Sequence, residues 1–255
     1  MTFNALDFGA KVNCITDDAP AIQAAIDAGS KAGGGRVVLE GGKHFYYGSI
    51  ILKENVELYL EQVGTPVTLK PSYVFIYAKD ADNIAVFGEG TIDGNAYAFV
   101  KQVSPYYVTD DFYPRPMLVY VEYYNQISFK DVIMRNAPFW TLHSAGCDDV
   151  LIWGLPILND LNVANSDGID PEHSTNVRIS NITCDSENGV FLSGSRGNHI
   201  EAILFEDVRV VQSQEQMAQR NVRFGSGIRT EDRGDQDFRI LYAQSRPCDS
   251  AELPG

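Results

Sequence analysis

The chain of 255 residues contains no apolar run approaching the roughly 18 residues that a membrane span requires, so no membrane partner is expected. Its start, Met1-Thr2-Phe3-Asn4, has no basic segment followed by an apolar one. No secretory signal is therefore visible, and the expectation is a cytoplasmic protein, or a secreted one whose signal was removed. Cations are scarce: 20 Lys and Arg face 34 Asp and Glu, a net charge of −14. Binding a phosphate backbone needs clustered Lys and Arg, so nucleic acid is excluded as a partner. The arginines between Arg209 and Arg246 are interleaved with acids and read as a mixed-charge surface. Paired cysteines are also missing. Cys14, Cys147, Cys184 and Cys248 lie far apart, which speaks against a metal site. They permit up to two disulfides without demanding any, and Cys147 and Cys184 read as buried small apolar residues.

Helical periodicity is present once and then nearly vanishes. Phe3 to Ala10 reads as a short apolar strand ending near Gly9. Asp17-Asp18 then precedes a helix from Pro20 to Ala28, with an acidic N-cap, proline in the first turn, and Ile22, Ala25, Ile26 and Gly29 on one face. Gly33-Gly34-Gly35 follows the helix and precedes the strand Arg36 to Leu39. That order is the reverse of a phosphate-binding loop, so the glycines read as a helix stop.

Beyond residue 36 a short unit recurs: apolar, any, apolar, any, then a small or turn-forming residue. It starts at Val56, Ile84, Ile127, Val150, Val177 and Ile203, and all but one of the intervals lie in the twenties. Asn or Asp often stands beside it, as at Asn55, Asn83, Asn125, Asp149 and Asn176. Alternating strands at this period describe a solenoid whose coils cannot bury their apolar faces alone and must stack. The leucine-rich pattern is absent and no helical half follows each strand. The reading is all-β: a single-stranded right-handed parallel β-helix with an N-terminal capping helix, one domain over 1–255. Clear coils are expected over 35–210, with a divergent segment over 211–255. The long interval holds Asn95 to Arg115, rich in Tyr and Phe, and reads equally as the wall of a sugar-binding cleft or as a loop packed on itself.

In such a fold, residues one coil apart become neighbours. The stretch Asn165-Ser166-Asp167-Gly168-Ile169-Asp170-Pro171 sets two carboxylates three residues apart in a turn. One coil back lie Trp140 and His143. One coil forward lie Asp185 and Glu187, and further on Arg229. Glycoside cleavage needs one acid to protonate the leaving oxygen and one carboxylate to activate water or attack. Crowding carboxylates raises at least one pKa and so creates the acid. An acidic sugar also needs a cation to hold its carboxylate.

Asn136-Ala137-Pro138-Phe139-Trp140-Thr141-Leu142-His143 and Asn165 to Pro171 resemble motifs of the polygalacturonases of glycoside hydrolase family 28. So do Arg115-Pro116-Met117-Leu118-Val119, Asp17 to Ile26 and Gly88-Glu89-Gly90-Thr91-Ile92-Asp93-Gly94. The resemblance runs from about residue 5 to about residue 185. It implies inverting hydrolysis of α-1,4-galacturonide bonds in pectin-type polysaccharide, with no cofactor and no metal, by a protein expected to be a monomer. It makes Asp167 catalytic, with Asn165 supporting it and Asp170 lining the site. The family's next acidic motif, G-D-D, falls where this chain has Glu187-Asn188-Gly189, so the partner acid is sought at Asp185 or Glu187. Gly227-Ile228-Arg229 falls where the family has its substrate-gripping R-I-K, with Arg229 in the lysine's place and the first arginine lost. Trp140 and His143 complete the expected substrate contacts. The alternative is an impaired or inactive β-helix that binds uronic-acid polysaccharide.

Overall fold

The computed structural model describes residues 1–61, 64–66, 73–103, 106–108, 115–186, 190–193, 203–211, 228–231 and 240–242. For 64–66, 101–103, 106–108, 191–193, 203–211, 228–231 and 240–242 only the backbone is described. Among the described residues the strands are parallel, apart from one hairpin, and coil into a parallel β-helix.

One sheet carries the repeat seen in the sequence. The strands Gly35–Leu39, Val56–Leu60, Ile84–Gly88, Asn125–Lys130, Asp148–Trp153 and Thr175–Asp185 lie side by side in chain order. Leu58 aligns with Val86, Val86 with Phe129, Phe129 with Ile152 and Ile152 with Ile179. Each of these side chains is at most 1% exposed, so they form one apolar column through the core. Burying each Val, Ile, Leu or Phe contributes about 1.5–3 kcal/mol, and only stacking makes that burial possible. A second sheet is built from Ile50–Ile51, Val74–Lys79, Met117–Glu122, Leu142–Ala145, Ile169–Glu172, Val190–Ser193 and Ile228–Glu231. Short strands Thr91–Asp93, Ile133–Arg135 and Pro156–Leu158 pair along a third edge, which joins the first sheet at the long strand Thr175–Asp185.

The corner of each coil needs a residue in the left-handed region. Asn55, Asn83, Gln126, Asp149 and Asn176 fill it, with φ between 50° and 61°. Asn and Asp tolerate that conformation because their short polar side chains satisfy nearby backbone. In the coil of Asn125 the corner falls on Gln126, because Asn125 aligns with Asp148 and not with Asp149. Gly88 ends one strand at φ 123°, with its backbone so close to the previous coil that a Cβ would lie 2.0 Å from the Leu60 carbonyl oxygen.

The N-terminal helix spans Ala19–Lys31 and buries Ile22, Ala25 and Ile26 against the first coils. Its acidic cap works differently from the sequence expectation. Asp18 occupies the N-cap, but its carboxylate accepts no bond from the helix. It accepts instead from the backbone N–H groups of Lys11 (2.6 Å) and Tyr46 (3.2 Å), while Asp17 accepts from Ala19 N–H at 3.0 Å. The expected strand Phe3 to Ala10 is a three-residue strand, Thr2–Asn4, followed by a 3₁₀ turn, Ala5–Phe8. The Asn4 side chain accepts from Leu6 N–H and draws the backbone out of the strand. The long interval contains the antiparallel pair Lys101–Val103 and Tyr106–Val108. Cys147 and Cys184 are buried free thiols, and Cys14 is free and exposed.

Candidate active site

The second sheet brings the singled-out residues into one outward row. Tyr77 aligns with Tyr120, Tyr120 with His143, and His143 with Asp170. Residues alternate between faces along a strand, so Ile76, Val119, Leu142 and Ile169 point into the core while this row points away from it. The backbone register continues the row. Ile169 aligns with Val190 and Phe191 with Arg229, so Arg229 stands two coils beyond Asp170. Its side chain lies outside the described residues, as does Glu187.

The turn that carries the carboxylates is fixed from two sides. Asn165 adopts φ 57°. The buried Asn159 amide accepts from Ala137 N–H (2.9 Å) and donates to Thr141 Oγ1 (2.7 Å) and to the Ser166 carbonyl (3.1 Å). It thereby ties the turn to the coil that precedes it. Arg115 does the same from the other side. Its guanidinium donates to the carbonyls of Pro138 (3.1 Å) and Ala164 and to Asn165 Oδ1 (3.4 Å), and it lies 5.0 Å over the Phe139 ring. Thr141 N–H then donates to the Asp167 carbonyl at 2.9 Å, which locks Asp167 beside Trp140 and His143.

Asp167 and Asp170 are 5% and 4% exposed. Neither Asp170 oxygen has a hydrogen-bond partner among the described residues. Burial, then the charge of Asp167, then that of Glu172, pushes its carboxyl well above the usual carboxylate range. Asp170 is therefore a candidate neutral acid beside a second carboxyl group. Asp185 ends its strand in register with Leu158, its carbonyl accepts from Asn159 N–H at 2.7 Å, and its Oδ1 is buried without a described partner. The buried Cys184 thiol reports on all three acids. Burial pushes it up to about 12, and the charges of Asp170, Asp185 and Asp167 push in the same direction. The Cys184 thiol thus lies within electrostatic reach of all three carboxyl groups.

His143 Nε2 lies 2.9 Å from Glu172 Oε2, and His173 Nδ1 lies 3.2 Å from Glu172 Oε1. The His143 hydrogen bond holds the Glu172 carboxyl below its ordinary value. Trp140 meets the His143 ring edge-on at 4.7 Å and stacks on Phe139, while Tyr120 lies 4.9 Å from His143 on the other side. Trp140 and His143 thus pack on each other next to the acids, with one face of the indole taken by Phe139.

Arg115, Asn159 and Glu172 are the supporting residues that sequence reasoning did not place in the site. Arg115 stood in a quoted motif without a role. Glu172 sits two residues beyond Asp170, the strand spacing that puts both on one face. Asn159 carried no comparable signal, since its partners are spread over two loops, that of the preceding coil and its own.

Within this parallel β-helix, Asp170 thus stands on the outward row beside His143, and Asp167 lies in the turn just before it. Residues 64–190 match the model of glycosyl hydrolases family 28. Over that segment the chain is a polygalacturonase-like member of the family. It is 30% identical over 105 residues to a "Probable polygalacturonase" of Vitis vinifera, which covers 41% of this chain and 21% of that protein. It is 46% identical over 74 residues to alginate lyase 7 of Azotobacter vinelandii, covering 26% of this chain and 9% of that one. The chain therefore spans about a fifth or less of the length of these curated relatives. An exopolygalacturonase from Thermotoga maritima shares the fold with a TM-score of 0.69 at 24% identity, over 83% of this chain and 60% of that one.

Proposed function

We propose that the chain hydrolyses galacturonide bonds of pectin-type polysaccharide with inversion, using a pair of carboxyl groups. The observation that carries this reading is the pair of buried carboxyl groups in and beside one turn, Asp167 and Asp170, with neither Asp170 oxygen hydrogen-bonded among the described residues. Asp167 serves as one member of the catalytic pair. Asp185 is preferred as its partner over Glu187, because a buried carboxylate oxygen without a described partner is costly unless a proton or substrate uses it. Asp170 keeps Asp167 company as a neutral acid, and Asn165, Trp140, His143 and Arg229 hold the sugar. An inverting pair needs room for a water molecule between carboxyl groups roughly 6.5–9.5 Å apart.

The test is release of reducing ends from polygalacturonate, with product anomers followed by NMR. Asp167→Asn and Asp185→Asn are each expected to lower the rate by about a hundredfold to ten-thousandfold. If the wild type makes no more reducing ends than Asp167→Asn, the hydrolase reading is wrong. Binding of polygalacturonate without turnover would identify a non-catalytic uronan-binding β-helix, which the replacement of the acidic motif by Glu187-Asn188-Gly189 would explain.

A further inference from the structure

The long aromatic insert begins with a turn that is bonded to the next coil. Thr91–Asp93, Ile133–Arg135 and Pro156–Leu158 stack in register, so the loops that follow them start one above another. In the first of these loops Asp93 accepts from Asn95 N–H at 2.9 Å and from the Asn136 amide of the next coil at 3.1 Å. Gly94 N–H donates to the Arg135 carbonyl (2.9 Å) and Ala96 N–H to the Asn136 carbonyl (3.0 Å). A Cβ on Gly94 would lie 2.6 Å from the Asn136 carbonyl oxygen, so the two loops pack in close contact. The 3₁₀ turn Ala96–Ala98 follows, and Phe99 ends it edge-on to the buried Phe75 at 5.8 Å. Tyr97 stands in this anchored turn. It is 55% exposed, yet its hydroxyl donates to Asp160 Oδ2 at 2.7 Å, in the loop two coils further on. Asp160 in turn organises the loop that carries the acids. Its Oδ1 accepts from Asn162 N–H at 2.8 Å, and its carbonyl accepts from Val163 N–H at 3.0 Å and from the Ser166 hydroxyl at 3.4 Å. Ser166 N–H donates to the Val163 carbonyl at 3.3 Å, and the fully buried Ser166 leads directly into Asp167. At the far end of the insert Arg115 bonds Ala164 and Asn165 of the same loop. The insert therefore grips the acid-bearing loop twice, at Asp160 through Tyr97 and at Ala164 and Asn165 through Arg115.

We infer that Tyr97 is a positioning residue for Asp167, acting through Asp160. The bond joins segments 63 residues apart and spans two coil spacings, about 9.6 Å along the stack. It restrains the acid-bearing loop against displacement relative to the coils that precede it, which the bonds inside the loop do not do. A hydroxyl donating to a carboxylate makes a stronger bond than one between neutral groups. Its place at the solvent edge makes its weight in global stability small. Its weight in catalysis is larger, because misplacing a reacting group by about 1 Å costs as much as a hundredfold in rate. Tyr97 thus serves the reaction without touching the substrate. This rests on the reading of Asp167 as a member of the catalytic pair.

The test uses Tyr97→Phe, which removes the hydroxyl and keeps the ring, together with Asp160→Ala and the double variant. Turnover of polygalacturonate, amide hydrogen exchange at Asn162, Val163 and Ser166, and the urea midpoint are measured on each. Tyr97→Phe is expected to lower kcat by about fivefold to twentyfold while KM stays within about twofold and the midpoint is unchanged. Exchange of the three amides should quicken by about tenfold, since the loop opens more often. In the Asp160→Ala background Tyr97→Phe should add nothing, because the partner is already gone. A rise in KM that persists in that background would mean that Tyr97 meets the sugar itself, and overturns the inference. An unchanged kcat, or a lower kcat without faster exchange, also overturns it and leaves the hydrolase reading standing. Faster exchange in a chain whose wild type shows no turnover overturns the hydrolase reading and upholds the hold of Tyr97 on the turn. Neither turnover nor a change in exchange overturns both.

Discussion

Replacing Asn159 by alanine removes the amide that ties the acid-bearing turn to the loop of the preceding coil. The side chain is 7% exposed and makes three hydrogen bonds of 2.7–3.1 Å. Truncation strands the Ala137 N–H, the Thr141 hydroxyl and the Ser166 carbonyl away from water. A buried polar group left unsatisfied costs about 1–3 kcal/mol. Three groups in one network do not add in full, because a water molecule entering the vacated space can satisfy some of them. The expected loss is about 3–5 kcal/mol. It would be read as a lowered urea midpoint followed by circular dichroism, with an unchanged slope. Turnover on pectin-type substrate should fall at temperatures where the variant is still folded, because Ser166 adjoins Asp167. Asn159→Asp keeps the acceptor for Ala137 but replaces the donor with an oxygen facing the Ser166 carbonyl, so it should be no milder. A loss below about 1 kcal/mol for Asn159→Ala would refute the argument, since a single stranded group already costs that much.

Asp170 gives the stability a recognisable pH dependence. Its folded pKa lies above the unfolded value of 3.8, so the protonated form favours folding fully below that pH, and the contribution is lost as pH rises through the folded value. Asp170→Asn should therefore raise the urea midpoint at pH 7 and change it little at pH 4; an equal change at both would contradict the buried-acid reading. Gly88→Ala should cost about 2–4 kcal/mol in chemical denaturation, because the Cβ meets the Leu60 carbonyl at 2.0 Å in a left-handed backbone region; a thermal midpoint equal to wild type would show that the strand can shift.

The first sheet was legible because its side chains obey a simple rule: one buried Val, Ile, Leu or Phe every second position, repeated once per coil. The start points Val56, Ile84, Ile127, Val150, Val177 and Ile203 fall in one register, pair by pair. The second sheet was harder to see. Strands such as Ile169-Asp170-Pro171-Glu172 expose a polar row and carry proline, which read alone suggest a turn. The acids were found through the turn chemistry of Asn165 to Gly168 and the spacing of one coil. Asn159 and Arg115 were not assigned roles, because much of their work is done on backbone carbonyls and N–H groups, and a backbone partner leaves no mark on the residue type that supplies it. The division of labour between Asp17 and Asp18 escaped the sequence for a related reason. Two adjacent acids precede the helix, and only the folded loop decides which one serves the helix and which the chain before it.

Ile84 aligns with Ile127 although an aromatic insert with its own hairpin separates them, while Ile127 aligns with Val150 after a much shorter connection. Connection length and rung position are thus independent variables in this molecule. An excursion of any size can leave the stack and return to the same rung without shifting the strand register further along. Inherited insertions can then reshape the surface beside the acid-bearing row while the row itself stays in phase, much as the margin of a ruled page can be rewritten without moving its lines.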